Sequence, residues 1–154
     1  MAEKVLKTFG VKYLQVLDED GKADKKLMPK LSPKQLVGLY SMMVLCRRFD
    51  EKALVMQRQG RLGTYASLLG QEAAQVGVAY ALGNDDWIFP TYRDSALLVA
   101  RKQPMASLLQ YFGGDERGSI PPKGVNNFPI SIPVGTQGLH AVGAAMAAPT
   151  ACSP

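Results

Sequence analysis

The chain predicts an α/β class, rich in helix, on three observations. A long capped helical pattern opens at Ser32-Pro33, and two later helical stretches, 71–82 and 135–148, are built largely of Ala and Gly. Between those two, a short apolar run, Trp87-Ile88-Phe89, stops at Pro90 and hands Tyr92-Arg93 to the loop beyond. Ligands of α/β folds collect outside the carboxyl ends of strands. The planar guanidinium there can give two parallel hydrogen bonds to anionic oxygens, which makes the 92–93 loop phosphate-competent. Taken alone, these residues are as compatible with a surface ion-pair arginine, the commoner case.

The elements follow in order. Residues 1–31 read as an extended arm: Val11–Leu17 alternates in part, as a short strand does, Asp18-Glu19-Asp20-Gly21 is a turn, and a Lys-rich solvated stretch runs to Pro29. Ser32 as cap, Pro33 at the first helical position and Gln35 completing a capping box start the first helix. Leu36, Leu39, Tyr40, Met43 and Val44 recur at helical spacing, Phe49, Ala53, Leu54 and Met56 continue the pattern, and Gly60 ends it. Its methionines read as core filler. Residues 60–69 form a loop, and 71–82 a second helix closed by Gly83, whose small side chains allow close approach to a neighbour. Asn84-Asp85-Asp86 turns into the strand Trp87–Phe89. A third helix covers 95–102, and a fourth starts at Pro104 and stops at Gly113-Gly114. The stretch 113–133 is a long loop dense in Gly, Pro and Asn, a length that marks functional or disordered segments. The last helix runs from Gly135 to about Ala148, where Pro149 cannot continue it.

The totals narrow the function classes. The 154 residues suffice for one modest core, and 47% hydrophobic with 20% charged residues is ordinary for a globular chain. The formal charge is +5, but its lysines are interspersed with acids and no basic block alternates with aromatics, so nucleic acid is not an expected partner. Cys46 and Cys152 offer no disulfide framework, and the N-terminus lacks the apolar run of a signal peptide; both fit a cytoplasmic protein. No stretch reaches the ~20 apolar residues of a membrane span. The one histidine, His140, sits on an Ala/Gly helix face and reads as a packed residue rather than a catalyst. There is no H-E-x-x-H, G-x-S-x-G or P-loop lysine motif, and the glycines of 60–77 lack the strand–G-x-G-x-x-G–helix order of a dinucleotide site.

Three stretches taken together carry more. Residues 60–77 (GRLGTYASLLGQEAAQVG), 86–94 (DWIFPTYRD) and 126–146 (NNFPISIPVGTQGLHAVGAAM), with Arg48–Lys52 and Gln57–Gly60 before them, resemble the alpha subunit of the pyruvate dehydrogenase E1 component, in the thiamine-diphosphate-dependent 2-oxo acid dehydrogenase family. The similarity covers about residues 5–147. It implies the helix-rich front portion of a thiamine-diphosphate-binding α/β fold with an incomplete parallel sheet: an arm at 1–31, a partial cofactor-binding domain at 32–148 and an aberrant tail at 149–154. It implies oxidative decarboxylation of pyruvate with acetyl transfer to a lipoylated E2 component, and a heterotetramer with an E1 beta subunit. A branched-chain 2-oxo acid or acetoin dehydrogenase alpha subunit, or a non-catalytic relic, are the alternatives.

By resemblance, Arg93 binds the diphosphate with Tyr92 beside it, and the main chain at Ile132 and Val134 meets the aminopyrimidine. In branched-chain relatives, the positions of Ser131, Pro133, Thr136 and Gln137 surround a potassium ion. Gln71 and Glu72 match a Gly-Gln-Glu motif and are expected to hold their loop; no residue here is assigned a catalytic role. The family's magnesium signature, Gly-Asp-Gly followed by Asn, does not occur in the chain, so the Mg²⁺ ligands are expected beyond it and the tail is expected to be a truncation or frameshift. Arg93 would then face a multiply charged anion without the metal that normally neutralises it. The chain alone is expected to bind cofactor poorly, to be catalytically silent and to be marginally stable.

Overall fold

A computed structural model describes residues 4–151; Cys152 and the end of the expected tail lie outside the described residues. The chain divides into two compact units, Met1–Pro33 and Lys34–Pro154. In the first, the strand expected over 11–17 does not form, and its pairing is one isolated antiparallel bridge from Leu17 to Ala23. The turn between them stands as expected: the Asp18 carboxylate accepts from the amides of Asp20 (3.1 Å) and Lys22 (2.7 Å). A lone bridge is too little to fix a ribbon, and Val5, Phe9, Val11 and Tyr13 stay exposed.

The second unit carries five helices among the described residues: α1 (Pro33–Arg58), α2 (Glu72–Ala81), α3 (Ser95–Ala100), α4 (Met105–Phe112) and α5 (Thr136–Ala151). Helix α1 ends where the sequence says. Gly60 takes a left-handed φ of 70°, its amide reaches Gln57 O and the Arg61 amide reaches Met56 O, closing off the last carbonyls. The buried face of α1 is Cys46, Phe49, Asp50 and Ala53, not its first turns: Leu36, Tyr40 and Val44 remain exposed. At 1.5 Å per residue α1 is about 39 Å long. Burial pushes the Cys46 thiol up to about 11.

Helix α2 buries Glu72, Gln75 and Val76. Gly77 does not serve close approach here, since a methyl group on it would meet nothing within 4 Å. Phe49, Tyr65, Leu68, Ala96, Leu108 and Phe112 belong to one core cluster. Tyr65 stacks edge-on to Phe49 (6.3 Å) and Phe112 (4.9 Å).

The strand expected at Trp87–Phe89 is also corrected. Among the described residues it makes one isolated parallel bridge, Ile88 to Asn127, and a second, Thr91 to Ser131, follows beyond Pro90. Pro90 lies between them and has no N–H to donate, so the ladder cannot run through. The long loop is far from structureless. It contains a 3-10 turn, Glu116–Ser119, and Gly118 is pressed so close to α4 that a Cβ there would overlap Ser107 O and Tyr111 N. Gln103 Nε2 donates to Ile120 O at 3.0 Å across the same junction. Helix α5 passes through Pro149 to Ala151, three residues past its expected end. A proline in a final turn removes one ladder bond yet keeps a helical φ. Ala141 and Ala144 of α5 share a small apolar cavity with Trp87, Phe89 and Phe128, and Leu139, Val142 and Met146 are exposed. Among the described residues no helix is long and apolar enough to cross a membrane.

Candidate functional site

The two bridged segments run parallel, so the residues that follow them emerge at the same end. After Thr91 come Tyr92 and Arg93; after Ser131 come Ile132 and Val134. All four line one cleft of about 920 Å³. Its other walls are the 63–67 segment and the C-terminal end of α4, Tyr111–Gly114. The Gly63 amide donates to Phe112 O at 2.8 Å and ties those walls together. Arg93 is the only charged side chain among the described residues lining the cleft.

Arg93 is firmly placed. Its Nη1 donates to Ser67 O at 2.5 Å and its guanidinium lies over the Tyr92 ring, 5.6 Å from the centroid. Its carbonyl accepts from Gln75 Nε2 at 3.0 Å. A guanidinium has five N–H donors in a fixed fork, so the bond to Ser67 leaves donors for an anion. Gln75 Oε1 also accepts from the amides of Ala96 (3.0 Å) and Leu97 (3.2 Å), capping α3 from α2. Asp94 accepts from Thr91 N (2.7 Å) and Oγ1 (2.8 Å), which shapes the turn carrying Tyr92 and Arg93.

Beneath the 63–67 wall lies Asp50, 1% exposed. Its Oδ1 accepts from Tyr65 Oη and Leu68 N, both at 2.8 Å, and its Oδ2 from Ser67 Oγ at 2.7 Å. Burial, reinforced by that carboxylate, holds the Tyr65 phenol protonated, well above its ordinary range. Sequence reasoning singled out neither Asp50 nor Gln75 for the site. The available signal was their register: Asp50 shares the face of Cys46, Phe49 and Ala53, and Gln75 adjoins Val76. A polar residue on a buried stripe demands partners.

Glu72 is buried and paired with Arg47, Oε1 to Nε at 2.5 Å, and its Oε2 accepts from Gly70 N at 3.1 Å. The Arg47 hydrogen bond outweighs burial and holds the Glu72 carboxyl below the ordinary glutamate value. A carboxyl depressed on folding adds stability above its unfolded pKa of about 4.3 and loses it as pH falls through the lower folded value. Asp115 is depressed likewise, by Arg117 and then Gln110. In urea titrations between pH 7 and 3, the midpoint of the chain should therefore fall on the acid side, and Glu72→Gln should flatten that fall in part; an unchanged acid slope in Glu72→Gln would remove Glu72 from this account.

Ser131, Pro133, Thr136 and Gln137 also come together. Ser131 Oγ and Thr136 Oγ1 are 2.8 Å apart, Thr136 Oγ1 donates to Pro133 O at 2.9 Å, and Gln137 Nε2 to Ser131 O at 2.8 Å. The oxygens of this cluster are neutral, so it lacks the carboxylates by which Mg²⁺ is usually held. No His/Cys/Asp/Glu group able to hold a metal occurs among the described residues. His140 is exposed on α5 with its ring 5.6 Å from Phe128.

This geometry has known counterparts in sequence. A profile of the family described as "Dehydrogenase E1 component" matches residues 40–152, which include every residue lining the cleft. The chain is 45% identical over 131 residues to a protein of Acholeplasma laidlawii named pyruvate dehydrogenase E1 component subunit alpha, covering 84% of this chain and 38% of that one. Proteins of the same name from Staphylococcus aureus (strain Mu50) and Staphylococcus epidermidis (strain RP62A) are each 38% identical, over 95% and 94% of this chain and 40% of theirs. The chain thus spans about two fifths of the length of these curated relatives. With the profile matched over most of its residues, the chain belongs to the dehydrogenase E1 component family.

Proposed function

We propose that this chain is the cofactor-facing front of a pyruvate dehydrogenase E1 alpha subunit, in which Arg93 grips the diphosphate of thiamine diphosphate. The single observation that carries the reading is the convergence of Tyr92, Arg93, Ile132 and Val134 on one cleft. The residues present fit the cofactor: one guanidinium with donors to spare, no carboxylate to repel an anion, and room between aromatic walls. When bound, thiamine diphosphate supplies the carbon nucleophile and the electron sink for removing carbon dioxide from a 2-oxo acid. Arg93 binds and orients the diphosphate end, Tyr92 supports the guanidinium through its ring face, and the main chain at Ile132 and Val134 addresses the aminopyrimidine. The Ser131, Pro133, Thr136 and Gln137 cluster takes a potassium ion that would steady the 131–137 turn. None of the residues lining the cleft is a carboxylate suited to hold Mg²⁺.

In this reading, 32–148 belongs to a thiamine-diphosphate-binding α/β domain whose parallel sheet the two bridges begin, and 1–31 is an arm. The working assembly is a cytoplasmic heterotetramer with an E1 beta subunit, which passes an acetyl unit to a lipoylated E2. Alone, the chain should show no micromolar binding of thiamine diphosphate with Mg²⁺ by calorimetry, and no release of carbon dioxide from pyruvate. Co-expressed with a beta subunit, any cofactor affinity it gains should drop about 10- to 100-fold in Arg93→Ala, the ~1.5–3 kcal/mol of a charge-assisted contact. Equal affinity of wild type and Arg93→Ala would overturn the assignment.

A further inference from the structure

The peptide between Ser67 and Leu68 links the cleft to the core. A peptide unit is planar, with its C=O and N–H pointing in opposite directions. On one side, the Leu68 N–H donates to Asp50 Oδ1 at 2.8 Å. On the other, the Ser67 C=O accepts Arg93 Nη1 at 2.5 Å. The Ser67 hydroxyl adds a second anchor to Asp50 Oδ2 at 2.7 Å, and the Tyr65 hydroxyl a third to Oδ1. Asp50 itself does not line the cleft. It stands on the buried face of α1, the longest helix of the chain.

We propose that Asp50 is a positioning residue for Arg93: by clamping the 67–68 peptide it aims the carbonyl that orients the guanidinium, and so sets affinity for a diphosphate it never touches. The inference rests on the cofactor reading above for its consequence, though not for its geometry. A carboxylate suits the task because both its oxygens accept, and the three groups that converge on it (a phenol, a hydroxyl and an amide) all donate. Gln75 performs the complementary function on the Arg93 backbone, so the arginine is held from α1 through its side chain and from α2 through its carbonyl.

The test is a double-mutant cycle on the full chain, with inorganic pyrophosphate as probe and NMR titration as readout. Asp50→Ala should weaken pyrophosphate about five- to tenfold, yet less than about twofold when Arg93 is already alanine, because the two changes remove one contact. Should Asp50→Ala not fold, Ser67→Ala, which loses a single anchor, runs the same cycle with an expected loss of about threefold. A loss that persists undiminished in the Arg93→Ala background overturns the proposal and makes Asp50 merely structural. The Arg93 side-chain Nε–H resonance of the unliganded chain gives an independent readout. It should shift in Ser67→Ala, and an unmoved resonance also overturns the proposal. If Arg93→Ala leaves pyrophosphate binding unchanged, it is the cofactor reading that fails, and the clamp is then judged on that resonance alone.

Discussion

Gly118→Ala should be among the most destabilising single changes in the chain, lowering the unfolding free energy by about 3 kcal/mol or more, the upper end of overpacking costs. The new methyl would overlap Ser107 O and Tyr111 N and sit 3.0 Å from Tyr111 Cα, all of them backbone atoms of α4 or its first turn. A flexible side chain could swing aside, but a helix backbone can yield only by moving as a body. The 3-10 turn would have to lift from α4, pulling Gln103 from its bonds to Gly118 O and Ile120 O. Chemical denaturation followed by circular dichroism measures the loss. A midpoint within error of the wild type would show that the turn and α4 are not in contact in solution.

Asp50→Ala should cost a similar amount, about 3 kcal/mol, by a different route. Tyr65 Oη and Leu68 N would lose their acceptor in a buried site, each stranded donor costing roughly 1–3 kcal/mol, while the half-buried Ser67 hydroxyl beside the cleft loses less, all offset by what the removed carboxylate regains on leaving its buried site. Asp50→Asn should be much milder, about 1 kcal/mol, since its amide oxygen can still take Tyr65 and Leu68 while the Ser67 hydroxyl turns to accept from the new NH₂. Urea unfolding of both variants distinguishes the two cases. Equal losses for Ala and Asn would mean that the negative charge, rather than the acceptor geometry, is what the core requires.

These two positions also mark the limits of what could be read in advance. The helices were legible because their signals are local: Ser32-Pro33 at the start of α1, Gly60 at its end, Pro104 before α4 and Gly113-Gly114 after it. The resemblance of the motifs, not periodicity, named Tyr92, Arg93, Ile132 and Val134 as a set, and the four line one cleft. What failed was non-local. Val11–Leu17 and Trp87–Phe89 have strand-like side chains, yet a strand exists only if a neighbour supplies a ladder, and Pro90 interrupts the one on offer. Gly118 is one glycine among several in the long loop, and Asp50 one residue of the Arg48–Lys52 stretch that carries the resemblance. Only contact with α4 in one case, and with the 65–68 segment in the other, gives them their weight.

The two lone bridges set how the cleft can breathe. Ile88 N to Asn126 O, Phe128 N to Ile88 O and Ser131 N to Pro90 O are the backbone bonds between the segments that present Tyr92-Arg93 and Ile132–Val134. A three-bond seam with a proline in it can part without unwinding any helix, and such local openings require far less free energy than global unfolding. The amides of Ile88, Phe128 and Ser131 should therefore trade hydrogen for deuterium well ahead of those in α1, and an anion bridging the two lips of the cleft would slow that exchange from outside the core.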